Sequence, residues 1–308
     1  QRKSKQILCV HLVKVGKFNY KLTMLAVDRQ PTLSKHIRYM RKANLIVCLL
    51  FLLAVFPVGG KNHSFQLIPK PQKMEVKSSD AWMFHELRYL ELADNVKRPA
   101  MGSMLDLLSQ NKQEGKYLKL ILTDKNVPES EEGYVLIVNK KGAEIQARHQ
   151  KGLFYGCQTL EQLLEDSRDF NQMIPCMSIE DYPAISYRAV HWDTKHHLDR
   201  AEYYYQMIDK LAYYKINAVI WEIEDKLRYT RRPEIGAGNA LSKQEIQAIS
   251  RYAKERNVEI SPLIQGLGHA SFILKHHWEL RENPKSDWEF CPSNPKTYEL
   301  QFDLYRDA

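Results

Sequence analysis

The chain has 308 residues, enough for two domains, and a formal net charge of +8. That charge is uneven: residues 1–42 hold eleven Lys or Arg against Asp28 alone, a net of +10, which leaves −2 for the rest. The basic character therefore belongs to the leader. Nucleic-acid binding is excluded as a leading class, because no basic surface motif interleaved with aromatics accompanies it.

In chain order, Met40-Arg41-Lys42 is a short basic start, Leu45 to Val58 is almost wholly apolar, and Gly59-Gly60 is a small-residue end. This is the pattern of a secretory signal over residues 40–60. The apolar run is short for a bilayer, which takes about 20 residues; an uncleaved anchor is the alternative, and only then is a membrane a partner. Export to the periplasm or the outside follows. Residues 1–39 precede a good start methionine and read as a disordered or mis-translated extension. Of five cysteines, Cys9 and Cys48 fall in this leader. Cys157, Cys176 and Cys291 remain, which allows one bridge at most and no Cys-x-x-Cys site.

Leu67-Ile68-Pro69-Lys70-Pro71 reads as extended, since proline disfavours helix at its predecessor. Alternating Leu118, Leu120 and Leu122 predict a strand, Tyr134 to Val138 a second, and Ala143 to Ala147 a third after the Lys140-Lys141-Gly142 turn. Residues 152–164 switch to helical spacing, with Phe154, Cys157, Leu160, Leu163 and Leu164 on one face. Together these predict a small α+β domain over residues 65–178, closed by a break at Asp181-Tyr182-Pro183.

A different rhythm occupies residues 180–308. Apolar runs 189–192, 218–221 and 260–264 each end in polar residues: Asp193-Thr194-Lys195, then Glu222-Ile223-Glu224-Asp225, then Gln265 and on to Gly268-His269. Helical patterns separate them. One carries Tyr204, Met207, Ile208, Leu211 and Ala212; the other is opened by a Ser242/Glu245 capping box and stopped near Asn257. This is the alternation of parallel βα units. It predicts an α/β fold, the first three units of a (β/α)8 TIM barrel, with the site at the C-terminal strand ends. Residues 226–241 read as an inserted loop over that mouth.

The candidate substrate-binding residues are accordingly Asp193, Glu222, Glu224, Asp225, Gln265 and His269. Strand-end carboxylates can accept paired hydrogen bonds from vicinal sugar hydroxyls, or can be internal ion pairs, Asp193 with Lys195 or Arg188. Lys195 is expected to neutralise them. Trp192 and Trp221 are expected in the core. Six of the eleven histidines lie between His191 and His277, but no His-Glu-x-x-His or other tight ligand spacing marks a metal, and no cofactor is expected.

These motifs have a family likeness. Glu132-Gly133-Tyr134, Lys151-Gly152-Leu153-Phe154-Tyr155-Gly156 and Gln158-Thr159-Leu160-Glu161-Gln162-Leu163 resemble the N-terminal α+β domain of family 20 glycoside hydrolases, the β-N-acetylhexosaminidases. Asp181-Tyr182-Pro183, Tyr187-Arg188 and Asp193 resemble its first barrel strand, and Ile216-Asn217 and Gly268-His269 its next landmarks. His196 stands where the family commonly has an arginine, Ile220 and Glu222 where a histidine-rich strand end occurs, and Gln265 in place of an aspartate. Glu-x-Glu-Asp and Leu-Ile-Gln-x-x-Gly-His resemble instead the hexosaminidase D-like branch.

The resemblance implies release of terminal GlcNAc or GalNAc from glycans by substrate-assisted catalysis. The substrate's acetamido oxygen would attack the anomeric carbon, with an Asp-Glu pair at strand 4 orienting it and supplying the acid. It also implies that this pair lies beyond Ala308, so that no catalytic residue is assigned here and the chain is a fragment, inactive alone. A non-catalytic carbohydrate-binding relative and a membrane-anchored binding protein are the alternatives.

Overall fold

The computed structural model describes residues 64–308. The expected extension at 1–39 and signal segment at 40–60 lie outside the described residues. Two sheets organise the rest.

The first sheet has six strands: β1 (Lys73–Trp82), β2 (Leu87–Leu92), β3 (Lys116–Leu122), β4 (Tyr134–Asn139), β5 (Gly142–Ala147) and β6 (Ile174–Asp181). Their order is β1-β6-β4-β5-β3-β2. β1, β6, β4 and β5 pair antiparallel, whereas β5, β3 and β2 pair parallel. The three strands expected from alternation are present, and the sheet runs on to Asp181, past the expected boundary at 178. Helix α1 (Gln150–Asp169) lies across β3, β4 and β5.

Glycine decides how close α1 can come. A Cβ at Gly152 would stand 2.2 Å from the carbonyl oxygen of Gly133, and one at Gly156 2.4 Å from Cγ2 of Ile145. Leu153, Leu160 and Leu163 are wholly buried as a result.

The second sheet holds β7 (Ala189–Asp193), β8 (Ala218–Glu222) and β9 (Glu259–Leu263), parallel and in that order. Between them run α2 (Ala201–Tyr213) and α3 (Lys243–Glu255). The Ser242/Glu245 capping box starts α3, and Asn257, at a φ of 56°, follows its end. Short α4 (Ser271–Leu274) and α5 (Pro295–Asp307) follow β9. His276 and His277 fall just past α4 rather than on a helix. This is the front of a (β/α)8 barrel: right-order parallel strands alternating with helices on one side. Trp221 is buried between α2 and the sheet, its ring 4.9 Å from Tyr204 and 5.7 Å from Trp192.

Residues 226–241 are packed rather than loose. Leu227 and Leu241 bridge, while Tyr229, Ile235 and Ala240 are buried. The Asp307 carboxylate accepts from the backbone of Thr230 at 2.7 Å and of Arg231 at 2.8 Å, which ties the segment to α5. Cys157, Cys176 and Cys291 are free thiols, and no helix among the described residues is long and apolar enough to cross a membrane.

Charged groups join the two sheets below the barrel strands. Lys215, in the turn from α2 to β8, has a φ of 59°, which swings its side chain back into the protein. Its ammonium donates to Asp181 Oδ2 at 2.6 Å and to the Tyr134 hydroxyl at 2.9 Å. Tyr134 also contacts Thr159 of α1 at 2.5 Å. Burial pushes the Lys215 pKa below the usual lysine value, against the upward pull of Asp181. Beside it, Arg188 pairs with Glu132, donates to the Lys215 carbonyl at 2.7 Å, and through its backbone N–H binds Asn217 Oδ1 at 2.8 Å. Asn217 in turn donates to Glu132 at 3.0 Å. Arg188 therefore pairs with Glu132, not with Asp193. The residues preceding β7 and β8 share one anchor on the first sheet.

Lys215→Met leaves Asp181 buried without its cation and is expected to cost about 3–5 kcal/mol in urea denaturation. Combining it with Asp181→Asn should cost clearly less than the sum of the two single changes; additive losses would show that the pair is not coupled.

Candidate functional site

Parallel register places the strand ends at one level: Asp193 opposite Glu222, and Glu222 opposite Leu263. Because strand side chains alternate, His191 and Asp193 share a face with Ile220 and Glu222. That face is away from the helices.

Glu222 is the hub. It is 1% exposed, yet its carboxylate meets three partners. Oε1 lies 3.1 Å from the Lys195 ammonium and accepts from Gln265 Nε2 at 2.6 Å, while Oε2 lies 3.0 Å from His191 Nε2. Lys195 also meets Asp193 at 3.1 Å, and its backbone N–H donates to the same carboxylate at 3.0 Å. The hydrogen bond to Asp193, aided by Glu222, raises the Lys195 pKa. Partial burial pushes Asp193 upward, but its bonds from Lys195 prevail and lower it. Thr194 tightens the corner, donating to the Glu222 carbonyl at 2.9 Å and accepting the Trp221 indole N–H at 3.1 Å.

Three of the six candidates, Asp193, Glu222 and Gln265, thus meet around Lys195 and His191. Lys195, a candidate either to bind a hydroxyl or to neutralise the acids, pairs with both carboxylates. His191 was not singled out, although period-two alternation with Asp193 puts it on the same face. Its side chain is 52% exposed, so the cluster opens to solvent there and at Asp193. Glu222 is enclosed, and its role is to hold the others.

Glu224 is next to this cluster but not bonded into it. It has a φ of 41°, strained for a side-chain-bearing residue, and is 7% exposed. Burial first, and then the charge of Glu222, push its pKa up to about 7. Asp225 turns away: its carboxylate pairs with Lys226 and lies 3.7 Å from Lys275. His269 is exposed at a φ of 54° and packs on Trp288, with ring centroids 4.3 Å apart. No group of three His, Cys, Asp or Glu among the described residues is arranged to hold a metal ion.

Rich in both donors and acceptors, the cluster can hydrogen-bond a polyhydroxylated ligand. Comparison with known proteins gives matches along most of the chain. The family model described as glycosyl hydrolase family 20, domain 2, matches residues 64–182, and the catalytic-domain model of the same family matches residues 185–306. A β-hexosaminidase of Porphyromonas gingivalis is 26% identical over 286 residues, covering 80% of this chain and 36% of that protein. A chitooligosaccharidolytic β-N-acetylglucosaminidase of Ostrinia furnacalis is 29% identical over 184 residues, covering 52% of this chain and 31% of that one. Among solved structures, the exo-β-N-acetylglucosaminidase of Vibrio harveyi in complex with N-acetylglucosamine aligns with a TM-score of 0.66 at 22% identity, over 79% of this chain and 44% of the other. The chain thus spans less than half the length of these relatives.

Glu224 has a stability signature. Between pH 4.5 and about 7 the folded protein holds a proton that the unfolded chain has released, so stability falls across that window and levels off above it. Glu224→Gln is expected to gain about 1–2 kcal/mol over the parent at pH 8, after allowance for solvent screening, and almost nothing at pH 4. Urea denaturation at both pH values checks this; equal effects at the two would show that Glu224 titrates normally.

Proposed function

The chain belongs to glycosyl hydrolase family 20, and from that membership we propose that it forms part of a β-N-acetylhexosaminidase that removes terminal GlcNAc or GalNAc from glycans. The observation that carries this reading is the strand-end cluster of Asp193, Lys195, Glu222, His191 and Gln265, set in the segment that matches the family's catalytic domain.

In this reading Asp193 accepts hydrogen bonds from sugar hydroxyls, and Lys195 donates to them. Glu222 is the buried counter-charge that keeps Lys195 and Gln265 in place. Gln265 spends one amide hydrogen on Glu222 at 2.6 Å and keeps the other for ligand. Glu224, with its pKa near neutrality, supplies either an acceptor or a donor, and His269 lines the rim, while Asp225 is held aside by Lys226. The chemistry is substrate-assisted: the sugar's acetamido oxygen attacks the anomeric carbon, and the acid that protonates the leaving oxygen comes from a carboxylate pair to which no residue of this chain is assigned. The residues described here bind and orient.

The organisation that accompanies this reading is a signal or anchor at 40–60, an α+β domain from residue 65, and a barrel domain from residue 180. Export follows from the first, and N-terminal sequencing of the mature protein tests it: a start near Lys61 makes the segment a cleaved signal.

Sugar preference tests the reading itself. The protein is expected to bind N-acetylglucosamine in preference to glucose in isothermal titration. Asp193→Ala should weaken that binding by about tenfold, the loss of roughly one hydrogen bond to a charged group. Equal affinity for the two sugars, or no effect of Asp193→Ala, would remove the assignment.

A further inference from the structure

Next to the anchoring ion pairs lies a cavity of about 270 Å³, where the entry segment, α1 and the run from Asp181 towards β7 come together. Its apolar wall is Pro69, Pro183, Ala184 and Ile185. Ile185 is 67% exposed, which places it at the mouth. The polar wall is the Tyr155 hydroxyl with the Glu132–Arg188 and Asp181–Lys215 pairs.

Tyr155 is the anomaly. It is 2% exposed on α1, and its hydroxyl has no hydrogen-bond partner among the described residues. A buried tyrosine hydroxyl normally finds one. Burial holds its pKa well above the usual tyrosine value, so the group stays a donor at any ordinary pH. Its neighbours also have hydrogens to give. Arg188 donates from Nε to the Lys215 carbonyl, from Nη1 to the Ile185 and Ser186 carbonyls, and from Nη2 to Glu132, which leaves one N–H on Nη2. The Lys215 ammonium donates to Tyr134 and Asp181, which leaves one more. Each carboxylate on the wall is matched by a cation. Lys70, on the same wall, has no ion-pair partner among the described residues, so the lining has one positive charge in excess.

Free donors and excess positive charge select an acceptor that is an anion, and the apolar wall selects a body of carbon. An apolar cavity of about 150 Å³ takes benzene, so there is room here for such a ring with a carboxyl group attached. We propose that this cavity binds a small carboxylate with an apolar body, its oxygens accepting from Tyr155 and from the free N–H of Arg188 or Lys215, and its body lying against Pro183, Ala184 and Ile185. The site is at the strand starts and does not rest on the reading of the strand-end cluster. A ligand held there touches α1 and the entry to β7 at once, and so stabilises the fold by binding only the folded chain.

Benzoate is the probe, titrated into the whole chain by isothermal calorimetry, with benzyl alcohol and inorganic phosphate for comparison. The variants are Tyr155→Phe and Ile185→Asp. Tyr155→Phe removes a hydroxyl that has no partner, so urea denaturation without benzoate is expected to be unchanged. The parent should bind benzoate saturably and unfold at higher urea in its presence. Tyr155→Phe should weaken benzoate by about tenfold. Ile185→Asp, at an exposed position, should also weaken it, by setting a like charge at the mouth. Benzyl alcohol has the ring without the charge and should bind about tenfold more weakly; phosphate has the charge without the ring and should not compete.

A parent that shows no saturable benzoate binding makes the cavity a water pocket and overturns the proposal. Equal affinity for benzyl alcohol, or a benzoate affinity untouched by Tyr155→Phe, overturns it too. Competition by phosphate would reduce the site to anion attraction at surface cations, with the same consequence. Should Tyr155→Phe be destabilised on its own, Ile185→Asp decides: benzoate affinity equal to the parent's at that variant overturns the assignment.

Discussion

The ion pair between Lys215 and Asp181 is the constraint on which the rest of the molecule is built. It lies where the turn before β8 meets the end of β6, and neither partner is tolerable there alone. The positive φ at Lys215 is the local strain that lets the ammonium reach back, and Tyr134 and Thr159 complete the hydrogen bonds. Arg188 and Asn217, on the residues leading into β7 and β8, are tied to the same region through Glu132. Strand starts that are fixed together produce strand ends that finish together. That is how Asp193 and Glu222 come to stand side by side.

At the other end the problem is one of charge. Asp193, Glu222, Glu224 and Asp225 crowd two strand ends, and the cations among them are Lys195 and Lys226, with Lys275 at 3.7 Å from Asp225. The solution is unequal. Glu222 is buried and fully partnered, Asp193 is half-open with its partner shared, Asp225 is drawn aside, and Glu224 carries a raised pKa in place of a partner. Four carboxylates, three of them between residues 222 and 225, thus have different chemistry because their surroundings differ.

Much of this was readable from residues alone. The polar bursts after 189–192, 218–221 and 260–264 located the strand ends, and Ser242 with Glu245 located a helix start. The strands that escaped are β1, β2 and β6. β1 is an edge strand with mostly exposed residues and so has no alternation to detect, and β6 carries Pro175 near its start. In the strand-end cluster, Asp193 and Glu222 were legible because each ends a strand, and Gln265 because it follows one by two residues. The meeting of His269 with Trp288 was not, since a segment without period separates them and only tertiary folding closes it. Nor was the solidity of residues 226–241: their loop-like composition conceals Tyr229, Ile235 and Ala240 in the core.

The shared anchor beneath β7 and β8 has an evolutionary consequence. Residues that secure the fold, Lys215, Asp181, Arg188, Glu132 and Asn217, are separated by the length of a strand from the strand-end cluster of Asp193, Lys195 and Glu222. Replacement of a side chain at a strand end need not disturb the register, which is set from below. Such a barrel can change what it prefers to bind by drift at its rim, at little risk to its ability to fold.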